Sequence, residues 1–453
     1  MQESSKIKEY CSLVCDQIRW KKARPIVERE IENHIYDQSE AYILEGFSEE
    51  EATKQAILQM GDPIAIGEEF DKTHKPRPQW TMIVLVGAFM LLGMFTNYLI
   101  DSSGLSIRGF NLMTYALAFW VFIVCYYIDF TFLGKFALAI YLLILGFSVI
   151  GVVLGTLVNG RLTLSLMGFS LSLSHLSLIF PLSLALLVYV MKDKGYFGIF
   201  ICGIGAIPLG LVLLKIPTLV GLIVFTISVV GILVFAIYRN WFKTDIKNGL
   251  ALVLIPGALI LAVLTALSLH NLSVVIDPYQ DKMGEGYIYY LIREFISGSS
   301  LIGTGSVPEG IKNISSLPEI STNYALVYLI HRFGFIVLIG IVSIVAIFTA
   351  IGLYNIAKQK NTLGALVALS IMLPFILQTI FYMISNLGYS LTSTLSMPFI
   401  SYGNFALLIN SALIGFMLSV FRTGYIYSDN SLLFRNQKYF SYEKGKLIIN
   451  IKK

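Results

Sequence analysis

Charge is scarce in this sequence. Only 13% of its 453 residues are Asp, Glu, Lys or Arg, against roughly 25% in an ordinary soluble chain. Hydrophobic residues make up 56%, and the mean hydropathy is +0.74. That deficit excludes a soluble globule of the usual kind. The apolar residues arrive in runs of about 20, the length that crosses a bilayer as helix, rather than scattered as in one large buried core. Cysteine is also scarce: Cys11, Cys15, Cys125 and Cys202 are the four present. Cys11 and Cys15 stand one helical turn apart, but no His or second Cys pair accompanies them, so they read as structural thiols rather than metal ligands. No disulfide framework follows. No apolar stretch precedes a small-residue cleavage site at the N-terminus, so no cleavable signal peptide is expected, and the first hydrophobic helix does the targeting. The net charge of +5 calls for no nucleic acid, because much of the excess sits in links and a tail that the positive-inside rule places in the cytoplasm.

Polar residues concentrate in residues 1–79, which predict a compact helical domain with its linker. A first helix is expected over about Lys6 to Lys21. A second starts near Pro25, sets Val27, Ile31 and Ile35 on one face, and ends at Gly46, suited to a left-handed cap. Ser48 and Glu51 form a capping-box pattern for a third helix that stops at Gly61. Asp62 and Pro63 suit the N-cap and first position of a fourth helix bearing Ile64, Ile66 and Phe70. Residues 28–70, with Gly-Phe-Ser-Glu-Glu-Glu-Ala and Met-Gly-Asp-Pro segments, resemble the small prefix domains (HAAS or permease-prefix type) that precede some Gram-positive membrane proteins. That resemblance implies a cytoplasmic regulatory or docking role rather than chemistry. In the linker from His74 to Pro78, Lys75 and Arg77 can face anionic headgroups.

From Trp80 the apolar runs predict an all-α polytopic bundle of about ten spans, near 80–100, 110–128, 136–157, 173–191, 196–214, 216–238, 248–269, 326–355, 363–386 and 402–421. Lys135, Lys192, Lys194, Arg239, Lys243, Lys247, Lys358 and Lys360 fall on one side. The opposite short links hold single basic residues: Arg108, Arg161 and Lys215. Both termini are therefore expected in the cytoplasm. The longest outward loop, about 270–323, is rich in Gly, Ser and acids, and loops of that length are usually functional or disordered. A basic, aromatic tail, 422–453, ends in Lys452 and Lys453.

Five stretches between residues 161 and 406 carry a stronger signal. Near the C-terminus stand Gln378, then Asn386-Leu387-Gly388, then Pro398-Phe399-Ile400-Ser401-Tyr402-Gly403. The loop opens with Asp277-Pro278-Tyr279-Gln280-Asp281, followed by Gly284, Gly286 and Tyr287, and continues with Gly303-Thr304-Gly305 and Leu317-Pro318-Glu319. Arg161 and Gly168 match ahead of the fourth span. Together these resemble, in order and spacing, the SEDS family (shape, elongation, division, sporulation) of FtsW, RodA and SpoVE, over most of the membrane part.

The resemblance implies a bacterial plasma-membrane protein of peptidoglycan synthesis that handles the lipid-linked disaccharide-peptide lipid II or another undecaprenyl-linked precursor, with a class B penicillin-binding protein transpeptidase as a possible partner. It also implies substrate contacts from Arg161, Asp277, Gly303, Gly305, Gln378, Asn386, Pro398, Ser401, Tyr402 and Gly403. No cofactor is implied. The loop glycines permit close turns, and the loop acids are of a kind that binds a divalent cation or accepts a proton. Active members place an Asp shortly after the Leu-Pro-Glu motif, as general base on the attacking sugar hydroxyl. Here that register holds Asn323, and an amide cannot act as a base. Three further carboxylate sites of the family are changed as well. Ser172-Leu173-Ser174-His175 replaces Gln-Pro-Ser-Glu, Pro217-Thr218-Leu219-Val220 replaces Pro-Asp-Leu-Gly, and His331 with Arg332 replaces paired glutamates. Asn404, Phe405 and Ala406 stand where the family has Gly and small hydroxyl residues. His175 and Arg332 read as side chains that reach an interface or pair with a backbone carbonyl.

Three readings stay open on the sequence. A polymerase could use another loop acid, with Glu319, Asp281 and Glu309 as candidates. A non-catalytic protein would bind precursor or scaffold a partner. A flippase would move a lipid-linked sugar.

Overall fold

The structure, a computed structural model, describes residues 2–105, 111–158, 160–166, 169–269, 272–308, 311, 313–389, 395–427, 440–443 and 446–449. Arg108, Gly168, Glu309, Lys452 and Lys453, singled out above, lie outside the described residues. The chain forms two compact units, residues 1–78 with 422–453, and residues 79–421.

The first unit contains α1 (Gln2–Asp16), α2 (Arg24–Leu44), α3 (Glu49–Met60) and α4 (Pro63–His74). Ile7, Val14, Ile18, Val27, Ile31 and Ile35 form its core, so the apolar face expected of the second helix is the one buried. Its punctuation follows the residues: Ser48 accepts from the Glu51 amide, Gly61 has φ +89°, and the Asp62 carboxylate caps Ile64 and Ala65. The first helix stops at Asp16 rather than near Lys21. Arg24 reaches back to the carbonyl of Ile18 at 3.0 Å and pairs with Asp16 at 3.6 Å, holding a turn in place of the expected helical end. Residues 422–453, expected as a separate tail, cluster with this unit. Arg77 donates its amide to the carbonyl of Arg422 at 3.0 Å and lays its guanidinium over Tyr425, while Trp20 meets Tyr427 edge-on.

The second unit is the membrane bundle. In chain order come α5 (Trp80–Ser102), α6 (Leu112–Tyr127), α7 (Thr131–Lys135), α8 (Ala137–Leu154), α9 (Leu176–Met191), α10 (Gly195–Lys215), α11 (Leu219–Tyr238) and α12 (Ile246–Ser268). The loop helices α13 (Leu272–Ile276) and α14 (Tyr287–Ser297) follow, then α15 (Ala325–Phe333), α16 (Phe335–Lys358), α17 (Thr362–Asn386) and α18 (Asn404–Thr423). Among the described residues nine helices are long and apolar enough to cross a membrane, with α6 a shorter apolar helix of 16 residues. The segments Leu173–Met191 and Thr362–Asn386 are 89% and 78% buried in protein, whereas Ile246–Ser268 and Phe335–Lys358 are each only 17% buried. The helices α9 and α17 are therefore the centre of the bundle, and α12 and α16 present most of their surface outward. Buried hydroxyls in the centre donate to carbonyls of their own helices, as Ser370 does to Val367 and Thr379 to Phe375, both at 2.8 Å, which removes the cost of a polar group in an apolar interior.

Two expectations are corrected here. The span expected over 326–355 is broken at Gly334 into α15 and α16. Gly334 has φ +91°, and a Cβ there would lie 2.5 Å from the Leu301 carbonyl oxygen, so only glycine fits. The second difference is a small antiparallel sheet where the third span and a plain link were expected. It consists of β1 (Thr156–Val158), β2 (Arg161–Leu166) and β3 (Phe169–Ser172) in sequential order. Within β2 the sequence alternates, with Leu162 and Leu164 buried and Arg161 and Thr163 facing the other way, as a half-buried strand requires. A second hairpin, β4 (Phe440–Glu443) with β5 (Lys446–Ile449), lies in the first unit.

Two tests follow from packing. Burial, reinforced by Glu32, pushes the Cys11 thiol up to about 12, and burial with Glu28 pushes Cys15 up to about 11. Both stay protonated at pH 7.5, so an alkylating reagent should label them only after denaturation; rapid labelling of the native protein would contradict this packing. In α5, a Cβ on Gly93 would fall 1.9 Å from the Phe399 carbonyl oxygen. Gly93→Ala should cost about 1–3 kcal/mol, the range for overpacking a filled core, read as a lowered Tm in detergent.

Candidate functional site

The final turn of the long loop is built around Glu319. Its backbone is left-handed, with φ +51°, a conformation that costs a residue with a side chain about 1–3 kcal/mol and persists only when its surroundings enforce it. Here they do. The Glu319 carbonyl accepts from the amides of Thr322 and Asn323 at 3.1 and 2.8 Å. Its carboxylate accepts from Arg161 at 2.8 Å and from the side-chain amide of Asn323 at 2.5 Å. Arg161 opens β2, so the sheet absent from the sequence reading is what delivers the guanidinium. Both partners of the ion pair are about one-third exposed, at 34% and 38%, which makes it a positioning contact more than a source of stability.

Behind this turn, the amide of Asn386 satisfies backbone groups that lie outside regular helix. It donates to the carbonyls of Asn323 and Tyr382 at 2.9 and 3.0 Å and accepts from the Val327 amide at 3.3 Å. The backbone amide of Tyr402 donates to the Ser321 carbonyl at 2.9 Å. Ser401 caps the amide of Met397 at 3.0 Å, and Gln378 donates to the carbonyl of Ser396. Pro398 begins a tight turn in which Phe399 has φ +63°, and Asn97 of α5 holds its end through the Ile400 carbonyl at 3.0 Å. Gly403 precedes α18 and accepts from the Leu407 amide. The C-terminal motif is thus a brace made of amides and hydroxyls.

Arg161, Glu319 and Asn323 line one cavity of about 550 Å³, together with Ser172, Ser174, His175, Pro217, Thr218, Glu285, Tyr289, Tyr324, Ser385 and Ser396. Hydroxyls, an amide, aromatic rings, one guanidinium and two carboxylates share the lining with the apolar Ile288, Leu395, Pro217 and Pro318. Three of the four positions where the family resemblance leads one to expect a carboxylate, His175, the Pro217–Thr218 pair and Asn323, meet here, though they lie far apart in sequence. The fourth does not line the cavity. His331 packs edge-on against Phe295, and Arg332 is exposed.

Other expected residues serve the loop itself. Asp277 caps the Tyr279 amide and binds Gln280, while Asp281 caps the amides of Gly284 and Glu285. These carboxylates make turns, and neither is among the residues lining the cavity. Gly303 and Gly305 run beside the break between α15 and α16, donating their amides to the carbonyls of Phe333 and His331 at 3.0 and 2.7 Å. Sequence reasoning missed Arg293. It donates to the carbonyls of Ile276 and Gly388 at 3.0 and 3.2 Å and stacks over Tyr389, joining α13, α14 and the end of α17. It stands on the face of α14 opposite the buried Leu291, Ile292 and Phe295, where an arginine reads in sequence as an ordinary solvated side chain. Ser396 was missed as well, because a lone hydroxyl carries no sequence signal.

Fold and cavity together define a polytopic helical membrane protein whose large loop helps to wall a chamber at one end of the bundle's central helices. The chain belongs to the FtsW/RodA/SpoVE family of cell cycle proteins, whose profile matches residues 76–425. It is 29% identical to a probable peptidoglycan glycosyltransferase FtsW of Acinetobacter baylyi over 281 residues, 59% of this chain and 68% of the relative. It is 27% identical to the corresponding protein of Trichlorobacter lovleyi over 172 residues, 38% and 45% of the two chains. The chain spans about half the length of several such curated relatives, at 45%, 53% and 51%. In fold it resembles a chain of a peptidoglycan synthase complex, with TM-score 0.58 and 19% identity, covering 77% of this chain and 98% of that one. It also resembles a mutant of the rod shape determining protein RodA from Thermus thermophilus, with TM-score 0.54, 16% identity and the same coverage.

The brace makes a direct prediction. Asn386→Ala leaves buried backbone groups of the loop turn unpaired, each worth about 1–3 kcal/mol. The variant should unfold at lower temperature and show faster hydrogen exchange at residues 321–327. Unchanged exchange there would mean that the amide does not hold the turn.

Proposed function

We propose that this chain serves bacterial cell-wall synthesis by binding an undecaprenyl-linked peptidoglycan precursor, lipid II or a close analogue, in the cavity around Arg161, with the Asp-dependent glycosyl transfer of its family lost. One observation carries the second half of that reading. At position 323 an amide donates to Glu319, so the group standing where a base is needed is too weakly basic to take a proton at neutral pH, and the neighbouring carboxylate is engaged by both Asn323 and Arg161. Family membership and the glycosyltransferase relatives support the wall role. A guanidinium at the cavity suits a pyrophosphate, which it can bind through two parallel hydrogen bonds. The hydroxyl and aromatic lining suits a sugar. The setting is the plasma membrane, with both termini on the cytoplasmic face, and a class B penicillin-binding protein transpeptidase is the partner of choice.

Purified protein in lipid nanodiscs should bind labelled lipid II yet polymerise it far more slowly than an active relative. Asn323→Asp should raise polymer formation by about 100-fold or more, the scale of a positioned general base. Failure to bind lipid II would sink the precursor reading. Wild-type polymerisation at the rate of an active relative would sink the lost-base reading.

A further inference from the structure

Position 175 holds a side chain that can take a proton in the same cavity. His175 is buried, 8% exposed, and its Nε2 lies 3.1 Å from the Ser396 hydroxyl, itself 8% exposed. Its Nδ1 faces the Ser172 carbonyl at 3.4 Å. A carbonyl oxygen can only accept, so Nδ1 carries the ring proton and Nε2 presents its lone pair to the Ser396 hydroxyl. The arrangement has the three parts of an activated hydroxyl: an oxygen, a base within hydrogen-bond reach, and a group that orients the base. Ser396 is in turn placed by Gln378, which donates to its carbonyl. The edge-on ring of Phe405, 6.4 Å away, offers no hydrogen bond to the imidazole. His175 and Phe405 are both departures from the family pattern, and they meet each other.

We propose that His175 is the proton acceptor of this cavity, acting through Ser396 on the hydroxyl of a sugar bound there. The inference rests on the precursor reading above. In the step, the acceptor hydroxyl gives its proton to the Ser396 oxygen as Ser396 passes its own to Nε2 of His175. The acceptor oxygen forms a bond to the anomeric carbon of the lipid-linked sugar, the bond from that carbon to phosphate breaks, and the lipid pyrophosphate leaves with the electron pair. Among the cavity's other candidates, Glu319 is held by Arg161 and Asn323, and Glu285 is exposed to solvent.

The test is residual polymerisation of labelled lipid II by the full chain in nanodiscs over long incubations. His175→Ala should lower turnover about 100-fold, the scale of general-base catalysis, with the loss in kcat rather than KM. Ser396→Ala should lower it in the same parameter. Asn323→Asp, which supplies a carboxylate base, should restore transfer to His175→Ala; a merely structural role for the imidazole would leave that double variant as inactive as the single one. The proposal is overturned by a His175→Ala protein that turns over at the wild-type rate, by a double variant that stays inactive, or by loss of residual transfer in Glu285→Gln while His175→Ala retains it. Wild type that binds lipid II and makes no product overturns it too. Wild type that fails to bind lipid II overturns the precursor reading and this inference together.

Discussion

A chain of side-chain amides and one ion pair ties the loop to the bundle. Asn386, at the end of α17, grips the carbonyl of Asn323, the side chain of Asn323 grips Glu319, and Glu319 receives Arg161 from the small sheet. In a bilayer, backbone that leaves helical structure must find its hydrogen bonds within the protein. The turn at 319–324 and the first turn of α15 leave several such groups, and this network satisfies them. Without it neither the left-handed Glu319 nor the wall of the cavity it forms would have a reason to persist.

The same constraint explains why so many of the family-pattern residues turn out to be braces. Gln378, Asn386, Ser401 and Tyr402 each bind backbone. Gly93 and Gly334 are needed because another strand of backbone comes too near for a Cβ. Such positions decide where the cavity is, while its chemistry belongs to the few side chains that project into it. Among them are His175, Thr218 and Asn323, the positions where the family resemblance implies a carboxylate. An imidazole, a hydroxyl and an amide stand there around the Arg161–Glu319 pair, so the cavity has few carboxylates beside its guanidinium.

Much of this was legible in sequence, for local reasons. The run length of apolar residues sets the helices of the bundle, and the caps at Ser48, Gly61 and Asp62 act within a turn of chain. The 3.6-residue spacing of Val27, Ile31 and Ile35 gave the buried face of α2. The alternation from Arg161 to Leu166 was equally legible as a strand, but it followed directly on a membrane span and was read as part of a link. The break at Gly334 could not be seen in the same way, because an apolar run reads as continuous helix and the reason for the break is the Leu301 carbonyl, some thirty residues away.

The sequence by itself determined that the chain lives in a membrane, that a polar helical unit precedes the spans, and that position 323, where the family resemblance leads one to expect a carboxylate, holds an amide. Those are properties of composition, period and register, which need no partner elsewhere in the chain. Only the tertiary structure decided that Asp277 and Asp281 cap turns while Arg161 and Glu319 face a cavity, and that His175, Ser396 and Asn323 line the same one. A carboxylate looks alike in sequence whether it caps an amide or faces a chamber. What separates the two uses is which backbone folds back beside it, and that is settled by packing between elements far apart in the chain.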